Sequence, residues 1–337
     1  MNRDYRVDFL KGLGIFLVVY GHLIPEESYV NNWIYSFHMP LFFILSGVFL
    51  LAKKQNFYQY FIKNLKSLVY PMVVFSFIKI LLLIIEGSNN YQEMFEITIN
   101  TITFAGDGVF WFLSALFISK LIYYFIDHSI YKNVIVLLCF IISLLSCPFL
   151  YKQECYNFFN FWYAVNIINR CLPVIVFLYI GQEIYKKIIS KHINFSSLQV
   201  VFAIILIIAN TVLCQMNGHV DLHYSKINNG ILYYFFSVST VLSLFIVISK
   251  FSNLNNFVSY YGKNSLIIMM THTTFRLTGY ISEFCSLFIN CNEFIEAFFV
   301  TVIIFLFEIL IIEIINRFLS FLVYCPNFLV FSKDNGK

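Results

Sequence analysis

The stretch Asn133-Val-Ile-Val-Leu-Leu-Cys-Phe-Ile-Ile-Ser-Leu-Leu-Ser-Cys-Pro-Phe-Leu-Tyr151 contains no charged residue and lies between Lys132 and Lys152. A helix needs about 20 mainly apolar residues to cross the roughly 30 Å hydrocarbon core of a bilayer. This stretch is long enough for one crossing, and its polar flanks mark where such a helix would reach water. We therefore predict that it spans a membrane.

Other apolar stretches of this kind follow one another along the chain. The 337 residues are 60% hydrophobic and 12% charged, whereas soluble domains carry about 25% charged residues. We predict an all-α polytopic integral membrane helix bundle of about ten transmembrane helices, with one membrane domain over residues 1–337 and no soluble C-terminal domain. Besides 133–151, the predicted spans are 7–24, 33–52, 67–86, 108–126, 163–185, 197–214, 230–249, 264–281 and 294–324.

Positive charge collects in alternate loops, and the remaining loops are mainly acidic. By the positive-inside rule, this asymmetry predicts cytoplasmic termini and a multi-pass protein of the cell inner membrane. The net charge of +4 is too small to indicate a nucleic acid, so the expected surrounding partner is the lipid bilayer. The lysines that decide the orientation are Lys53, Lys54, Lys63, Lys66, Lys132, Lys186, Lys187, Lys191, Lys250, Lys263, Lys333 and Lys337.

The eight cysteines are scattered, and they form neither a Cys-x-x-Cys motif nor a metal-ligand spacing with histidine. We therefore predict no metal site. Cys285 and Cys291 share one short predicted outer loop, which leaves a disulfide between them open.

The first predicted helix carries three ionisable residues, Asp8, Lys11 and His22. A charge inside a bilayer costs at least about 2.5 kcal/mol, so such residues are candidates for a functional site. Lys11 and His22 lie about three helical turns apart, which places them on one face roughly 16 Å from each other. A structural ion pair would explain Asp8 and Lys11 but not His22.

Polar residues in two other helices extend this set. The second helix has His38 near its outer end and Ser46-Gly47 deeper, although small-residue packing also explains the latter pair. In the ninth span, His272 and Arg276 are four residues apart and are predicted to share a face.

The remaining charged residues in the predicted spans have simpler interpretations. Glu308 is the last deep acid, and it is either a catalyst or a counter-ion for Arg276 or Arg170. Charges near helix ends are expected to reach water along the lipid surface; these are Lys79, Lys120, Arg317 and the Glu183/Lys187 pair.

These residues resemble the signatures of the acyltransferase-3 family of integral membrane O-acyltransferases. Asp8, Lys11 and His22 match its first-helix motif, with lysine where arginine is commoner. The segment Phe42-Phe-Ile-Leu-Ser46-Gly47 is similar to its second motif, and the preceding Phe-His-Met-Pro resembles the fucose and polysaccharide O-acetyltransferase-like branch.

Three further segments also resemble this family. Lys63-Asn-Leu-Lys66 stands where the family has a loop with two arginines, so the charge is kept but the guanidinium fork is lost. Phe110-Trp111-Phe112-Leu113 and Gly262-Lys-Asn-Ser265 through His272 are the other two. The resemblance covers most of the chain.

The resemblance implies transfer of an acetyl group from cytoplasmic acetyl-CoA to a sugar hydroxyl of a cell-surface or lipid-linked glycan, with no bound cofactor. Lys11, Lys63 and Lys66 would attract the CoA phosphates beside Ser46 and Gly47. His22 would be the general base or carry the acyl group itself. His38 would orient the acceptor or stabilise the oxyanion, and acceptor or support roles fall to Trp111, His272, Arg276 and Glu308.

Two other classes of function remain open from the sequence. A bundle with buried His, Lys and Glu also describes a glycan or small-solute transporter, although we find no internal repeat of the kind many transporters have. A non-catalytic membrane scaffold would leave the buried charges without a task.

Overall fold

The computed structural model describes residues 4–50, 55–87, 90–152, 161–191, 193–250, 256–287 and 291–326. These residues are mainly helical, and their only strand-like pairing is an isolated bridge between Asp221 and Lys226. The α-helices in these ranges are α1 (Tyr5–Gly21), α2 (Tyr29–Val48), α3 (Phe57–Asn64), α4 (Tyr70–Ile85), α5 (Tyr91–Ile102), α6 (Trp111–His128), α7 (Lys132–Lys152), α8 (Phe161–Asn169), α9 (Cys171–Ile184), α10 (Ser197–Leu213), α11 (Gly230–Ser249), α12 (Asn256–Lys263), α13 (Ser265–Thr274), α14 (Leu277–Ser286) and α15 (Glu293–Phe318).

Seven helical segments of the described chain are long and apolar enough to cross a membrane. They coincide with seven of the predicted spans, and α1, α2 and the α13–α14 pair occupy the other three. The predicted all-α membrane bundle is therefore confirmed. Ten crossings and cytoplasmic termini stay predictions. Four of the lysines on which the predicted orientation depends, Lys53, Lys54, Lys333 and Lys337, lie outside the described residues. The seven segments are Phe57–Ile85, Gly108–His128, Lys132–Lys152, Phe161–Ile189, Ser197–Met216, Gly230–Ser249 and Glu293–Phe318.

The ninth predicted span is broken in the middle. Arg276 separates α13 from α14, and its backbone is in the left-handed region, with φ of 50°. Its guanidinium donates a hydrogen bond of 2.8 Å to Glu86 at the end of α4. The prediction that His272 and Arg276 share a helix face is therefore wrong, because the helix ends between them.

Helix α1 packs against α12 with direct contact between their backbones. A Cβ atom placed on Gly262 would lie 1.7 Å from the carbonyl oxygen of Asp8, and one on Gly12 would lie 2.1 Å from that of Val258. Only glycine permits this approach, which is a common way for membrane helices to gain van der Waals contact. The crossing fixes the end of α1 that carries Lys11.

Helices α2 and α9 cross in the same manner. A Cβ atom on Gly47 would lie 2.3 Å from the Leu178 oxygen, and one on Gly181 would lie 1.9 Å from the Ile44 oxygen. Gly47 is thus a helix-packing residue, which agrees with small-residue packing as the explanation of Ser46-Gly47.

Polar side chains join α6, α7 and α9 near one end of the bundle. The buried Asp127 accepts a 2.8 Å hydrogen bond from Lys132, and Gln182 accepts hydrogen bonds from Tyr123 and from Lys132. A buried charge pair of this kind is costly to break, since one partner would be left unpaired.

Several of the simpler predictions can be compared with the described structure. The Glu183/Lys187 pair is confirmed at 3.4 Å. Lys79 pairs with Asp107 at 2.5 Å, and Cys285 and Cys291 are both free thiols.

The glycine crossing gives a test of the packing. We expect Gly262→Ala to push α1 and α12 apart, at a cost of about 1–3 kcal/mol, and to lower the melting temperature by roughly 5 °C. Gly279→Ala in α14 is the matched control, because a Cβ atom there lies within 4 Å of no atom in the described part of the chain. Thermal unfolding of the two variants in detergent measures the difference, and equal melting temperatures would contradict the backbone contact.

Candidate active site

Two neighbouring cavities of about 310 Å³ each lie in the bundle and share part of their lining. The lysine cavity is lined by Lys11, Lys63 and Lys120. The histidine cavity is lined by His22, His38 and His223. The two cavities therefore differ in the chemistry of their walls.

One face of α1 runs along both cavities. Lys11 lines the lysine cavity, Val18 and His22 line the histidine cavity, and Ile15 lines both. Steps of four, three and four residues follow one face of an α-helix. The predicted shared face of Lys11 and His22 is confirmed, at a separation of about 16 Å along the helix axis.

The lysine cavity holds most of the predicted donor-side residues. The Lys11 ammonium lies 5.4 Å from the centre of the Phe49 ring, and Ser46 lies in the same wall. Lys63 is exposed into this cavity. Among the described residues that line it, none is acidic.

Three positions in this region differ from the prediction. Lys120 lines the lysine cavity, so the expectation that it reaches water along the lipid surface is wrong. Lys66 lines neither cavity, and Gly47 contacts α9 instead. Depth along a helix can be read from a sequence, whereas the direction in which a side chain points depends on the neighbouring helices.

Two buried histidines have ring orientations set by their own helices. Nδ1 of His38 lies 2.9 Å from the carbonyl oxygen of Ile34, and Nδ1 of His272 lies 2.7 Å from that of Ile268. A carbonyl oxygen only accepts, so both Nδ1 atoms donate a proton. In the neutral rings, Nε2 is therefore left as a hydrogen-bond acceptor.

His272 lies behind His22 rather than in the cavity wall. The two ring centres are 5.8 Å apart with planes inclined by 28°, and Nε2 of His272 has no hydrogen-bond partner among the described residues. The side chain of His22 is exposed, and it lines the histidine cavity. The structure thus brings His22, His38 and His272 to one end of the bundle.

Glu308 is fully buried on α15 and contacts the helix that carries His272. It accepts a 2.7 Å hydrogen bond from the Thr271 hydroxyl, next to His272 on α13. The expectation that Glu308 is a counter-ion for Arg276 or Arg170 is wrong, because Arg276 pairs with Glu86 and Arg170 bonds backbone carbonyls. Glu308 instead joins α15 to α13.

Trp111 lines the histidine cavity, and His223 and Arg170 pack against its ring. Its ring lies nearly parallel to that of His223, with ring centres 5.4 Å apart, and the Arg170 guanidinium lies 5.6 Å from the Trp111 ring centre. Arg170 is buried and donates to the carbonyl oxygens of Ala105, at 2.5 Å, and Phe104, at 3.0 Å. These bonds fix the loop that leads into Trp111.

A loop between α10 and α11 covers the histidine cavity and was not predicted as part of the site. The backbones of Asp221 and Lys226 exchange two hydrogen bonds of 2.7 and 2.8 Å, and the Asp221 carboxylate accepts from the His223 backbone at 2.9 Å. Burial raises the pKa of Asp221 to about 6. Burial, with a contribution from the charge of Arg170, holds the pKa of His223 well below 6.5.

Other lining residues also lacked a sequence signal. Glu26, Tyr35 and Tyr233 line the histidine cavity from three different elements. In the part of the chain that the structure describes, no three His, Cys, Asp or Glu side chains converge to hold a metal ion.

This geometry can be compared with known proteins. The model of the acyltransferase-3 family, described as "Acyltransferase domain", matches residues 4–313. The chain belongs to the acyltransferase-3 family. It is a multi-pass membrane protein, and the matched region includes all the helices that line the two cavities.

Two curated relatives share a short segment with this chain. Nodulation protein NolL of Sinorhizobium fredii (strain NBRC 101917 / NGR234) is 48% identical over 56 residues, and that of Mesorhizobium japonicum (strain LMG 29417 / CECT 9101 / MAFF 303099) is 45% identical over 56 residues. The match covers 14% of this chain and spans only 15% of each relative. No solved structure gives a significant match.

The loop between α10 and α11 predicts that the stability of the protein depends on pH. Because the pKa of Asp221 rises from 3.8 to about 6 on folding, the protonated acid is favoured in the folded loop. We expect the contribution of Asp221 to stability to be greatest below pH 4 and to fall as the pH rises towards 6, and Asp221→Asn to remove this contribution. Melting temperatures of both proteins from pH 4 to 7.5 give the measurement. A difference between them that does not change with pH would contradict the buried acid.

Proposed function

We propose that this acyltransferase moves an acetyl group from acetyl-CoA to a sugar hydroxyl of a cell-surface or lipid-linked glycan in the cell inner membrane. The donor enters the lysine cavity from the cytoplasm, and the acceptor occupies the histidine cavity. The observation that carries this proposal is the single face of α1 that runs from Lys11 in one cavity to His22 in the other.

The lysine cavity has the charge that the donor requires. CoA carries several phosphate groups, and Lys11, Lys63 and Lys120 provide positive charge in a wall that holds no acid among its described residues. Ammonium groups attract phosphates as point charges, without the paired geometry of a guanidinium. This supports the lysine cavity as the donor side.

His22 is placed to be the general base. In the proposed reaction it accepts the proton of the sugar hydroxyl while that oxygen attacks the thioester carbonyl carbon. The carbon–sulfur bond then breaks, and the leaving thiolate of CoA takes the proton from His22. The products are the O-acetyl sugar and CoA, and His22 returns to its neutral form.

His38 supports the acceptor rather than the oxyanion in this scheme. Its Nδ1 proton is engaged by the Ile34 carbonyl, so the neutral ring offers only Nε2 as an acceptor. An acceptor atom can orient a hydroxyl but cannot donate to a developing negative charge. Of the two roles open for His38 from the sequence, orientation of the sugar is favoured.

The remaining walls of the histidine cavity suit a sugar. Trp111 and Tyr35 present aromatic surface, and Glu26 and Asp221 present carboxylate oxygens. Hydroxyl groups donate to such oxygens, and the apolar faces of sugar rings pack on aromatic side chains. This supports a glycan acceptor.

A transporter also has neighbouring cavities inside a helical bundle, so a direct test has to separate it from an acyltransferase. Purified protein supplied with radiolabelled acetyl-CoA and an isolated surface glycan would label the glycan if the proposal holds. Movement of unmodified glycan across vesicles, without labelling, would instead indicate transport.

We expect His22→Ala to lower acetyl transfer by at least about 100-fold, because a general base commonly contributes 10²–10⁴ in rate. His38→Ala is expected to lose less, about tenfold, since it only orients the acceptor. Initial rates at equal amounts of folded protein measure both. His128→Ala at the exposed end of α6 is the control, and wild-type rates in His22→Ala would refute the assignment of the base.

Lys63 and Lys66 give a matched pair of substitutions that test the lysine cavity. We expect Lys63→Ala to raise the KM for acetyl-CoA about fivefold, or roughly 1 kcal/mol, and to leave the KM for the glycan unchanged. Lys66→Ala is the control, because Lys66 lines neither cavity. Steady-state kinetics in both substrates distinguish them, and an equal effect of the two substitutions would argue against the lysine cavity as the donor site.

A further inference from the structure

Four of the described residues line both cavities and form what we call the collar: Ile15 of α1, Phe42 of α2, Phe112 of α6 and Met269 of α13. Each comes from a different helix, and all four are apolar. The collar is therefore the boundary that the two cavities share, and the direct path from one to the other runs between these side chains.

Two sides of the collar are held firmly. The Phe42 and Phe112 rings touch edge to face, with centres 6.0 Å apart, and Phe43 backs Phe112 with ring centres 4.8 Å apart. Behind Phe42, a Cβ atom on Gly14 would already lie 3.0 Å from the ring. The two rings form one wall with little space to retreat, so the passage lies between this wall and the other two residues.

Those two residues differ in stiffness. Ile15 is 1% exposed and β-branched, so its side chain has few alternative rotamers. Met269 is half-buried and unbranched, with three rotatable bonds that let it take several shapes in the same space. Met269 is the side of the collar that can move.

We propose that Met269 determines donor specificity: it moves aside for the pantetheine arm and a slender acyl group, and it excludes branched or aromatic acyl groups. This inference rests on the proposed function. Ile15 lies about 6 Å from Lys11 and about 10 Å from His22 along α1, at 1.5 Å per residue. With the phosphates held at Lys11, the thioester reaches His22 only if the arm occupies the collar. The acyl group leads, so the collar tests its width first.

The first experiment compares acyl donors of different width. Wild-type protein, Met269→Ala and Met270→Ala are supplied with acetyl-CoA, isobutyryl-CoA or phenylacetyl-CoA at equal amounts of folded protein. Met270 is the matched control, because it is a fully buried neighbour that lines neither cavity. We expect Met269→Ala to raise the phenylacetyl-to-acetyl rate ratio at least tenfold, and Met270→Ala to keep the wild-type ratio.

Two results of this comparison would overturn the inference. One is an unchanged ratio in Met269→Ala with acetyl transfer retained. The other is an equal rise in Met270→Ala, which would indicate general loosening of α13. Absence of acetyl transfer in the wild-type protein would be a failure of the proposed function instead.

A second experiment does not depend on transfer and also covers poor folding of Met269→Ala. Met269→Cys is labelled with a small thiol reagent, and wild-type protein gives the background of the native cysteines. We expect a ketone analogue of acetyl-CoA, which cannot transfer its acyl group, to slow this labelling at least fivefold. Adenosine 3′,5′-bisphosphate, which lacks the arm, should leave it unchanged. Equal protection by both compounds, or protection by neither, would show that the arm does not occupy the collar.

Discussion

Contact between helix backbones is the constraint on which the two cavities depend. At Gly262 and Gly47 there is no space for even one side-chain carbon, so α12 lies directly on α1 and α9 lies directly on α2. Lipid provides no hydrophobic drive for helices to associate, so van der Waals contact of this closeness has to supply the attraction. Since His22 directly follows α1 and His38 lies on α2, the crossings that hold these helices also set the positions of the candidate catalytic groups.

The two cavities differ in the charged residues that line them. The lysine cavity has ammonium groups and no described acid, whereas the histidine cavity has Glu26 and Asp221 beside imidazole rings. An anionic ligand is therefore favoured at one end and a neutral, hydroxyl-rich ligand at the other. This asymmetry supports one direction of group transfer without any need for the helices to exchange positions.

How much of this site could be predicted from the sequence depends on which physical rule governs each residue. Lys11 and His22 were placed correctly because helix periodicity alone decides whether they share a face. Arg276 was misplaced because its helix break is accompanied by a contact with Glu86, a residue far away in the chain. Lys120 was misread for a similar reason, since only the neighbouring helices decide whether a side chain faces lipid or a cavity. His223 had no signal at all, because its loop is positioned by tertiary contacts.

The collar has an electrical consequence as well as a steric one. Where water-filled cavities enter a membrane protein from both sides, the transmembrane potential falls mainly across the short apolar segment that separates them, so the field there is several-fold stronger than across 30 Å of lipid. A charge crossing it would exchange about 2.3 kcal/mol per 100 mV with that potential. A pantetheine arm and its thioester are neutral, and in the proposed reaction the phosphates remain with the lysines. In the proposed reaction, the transmembrane potential would therefore neither drive nor oppose the passage of the acetyl group.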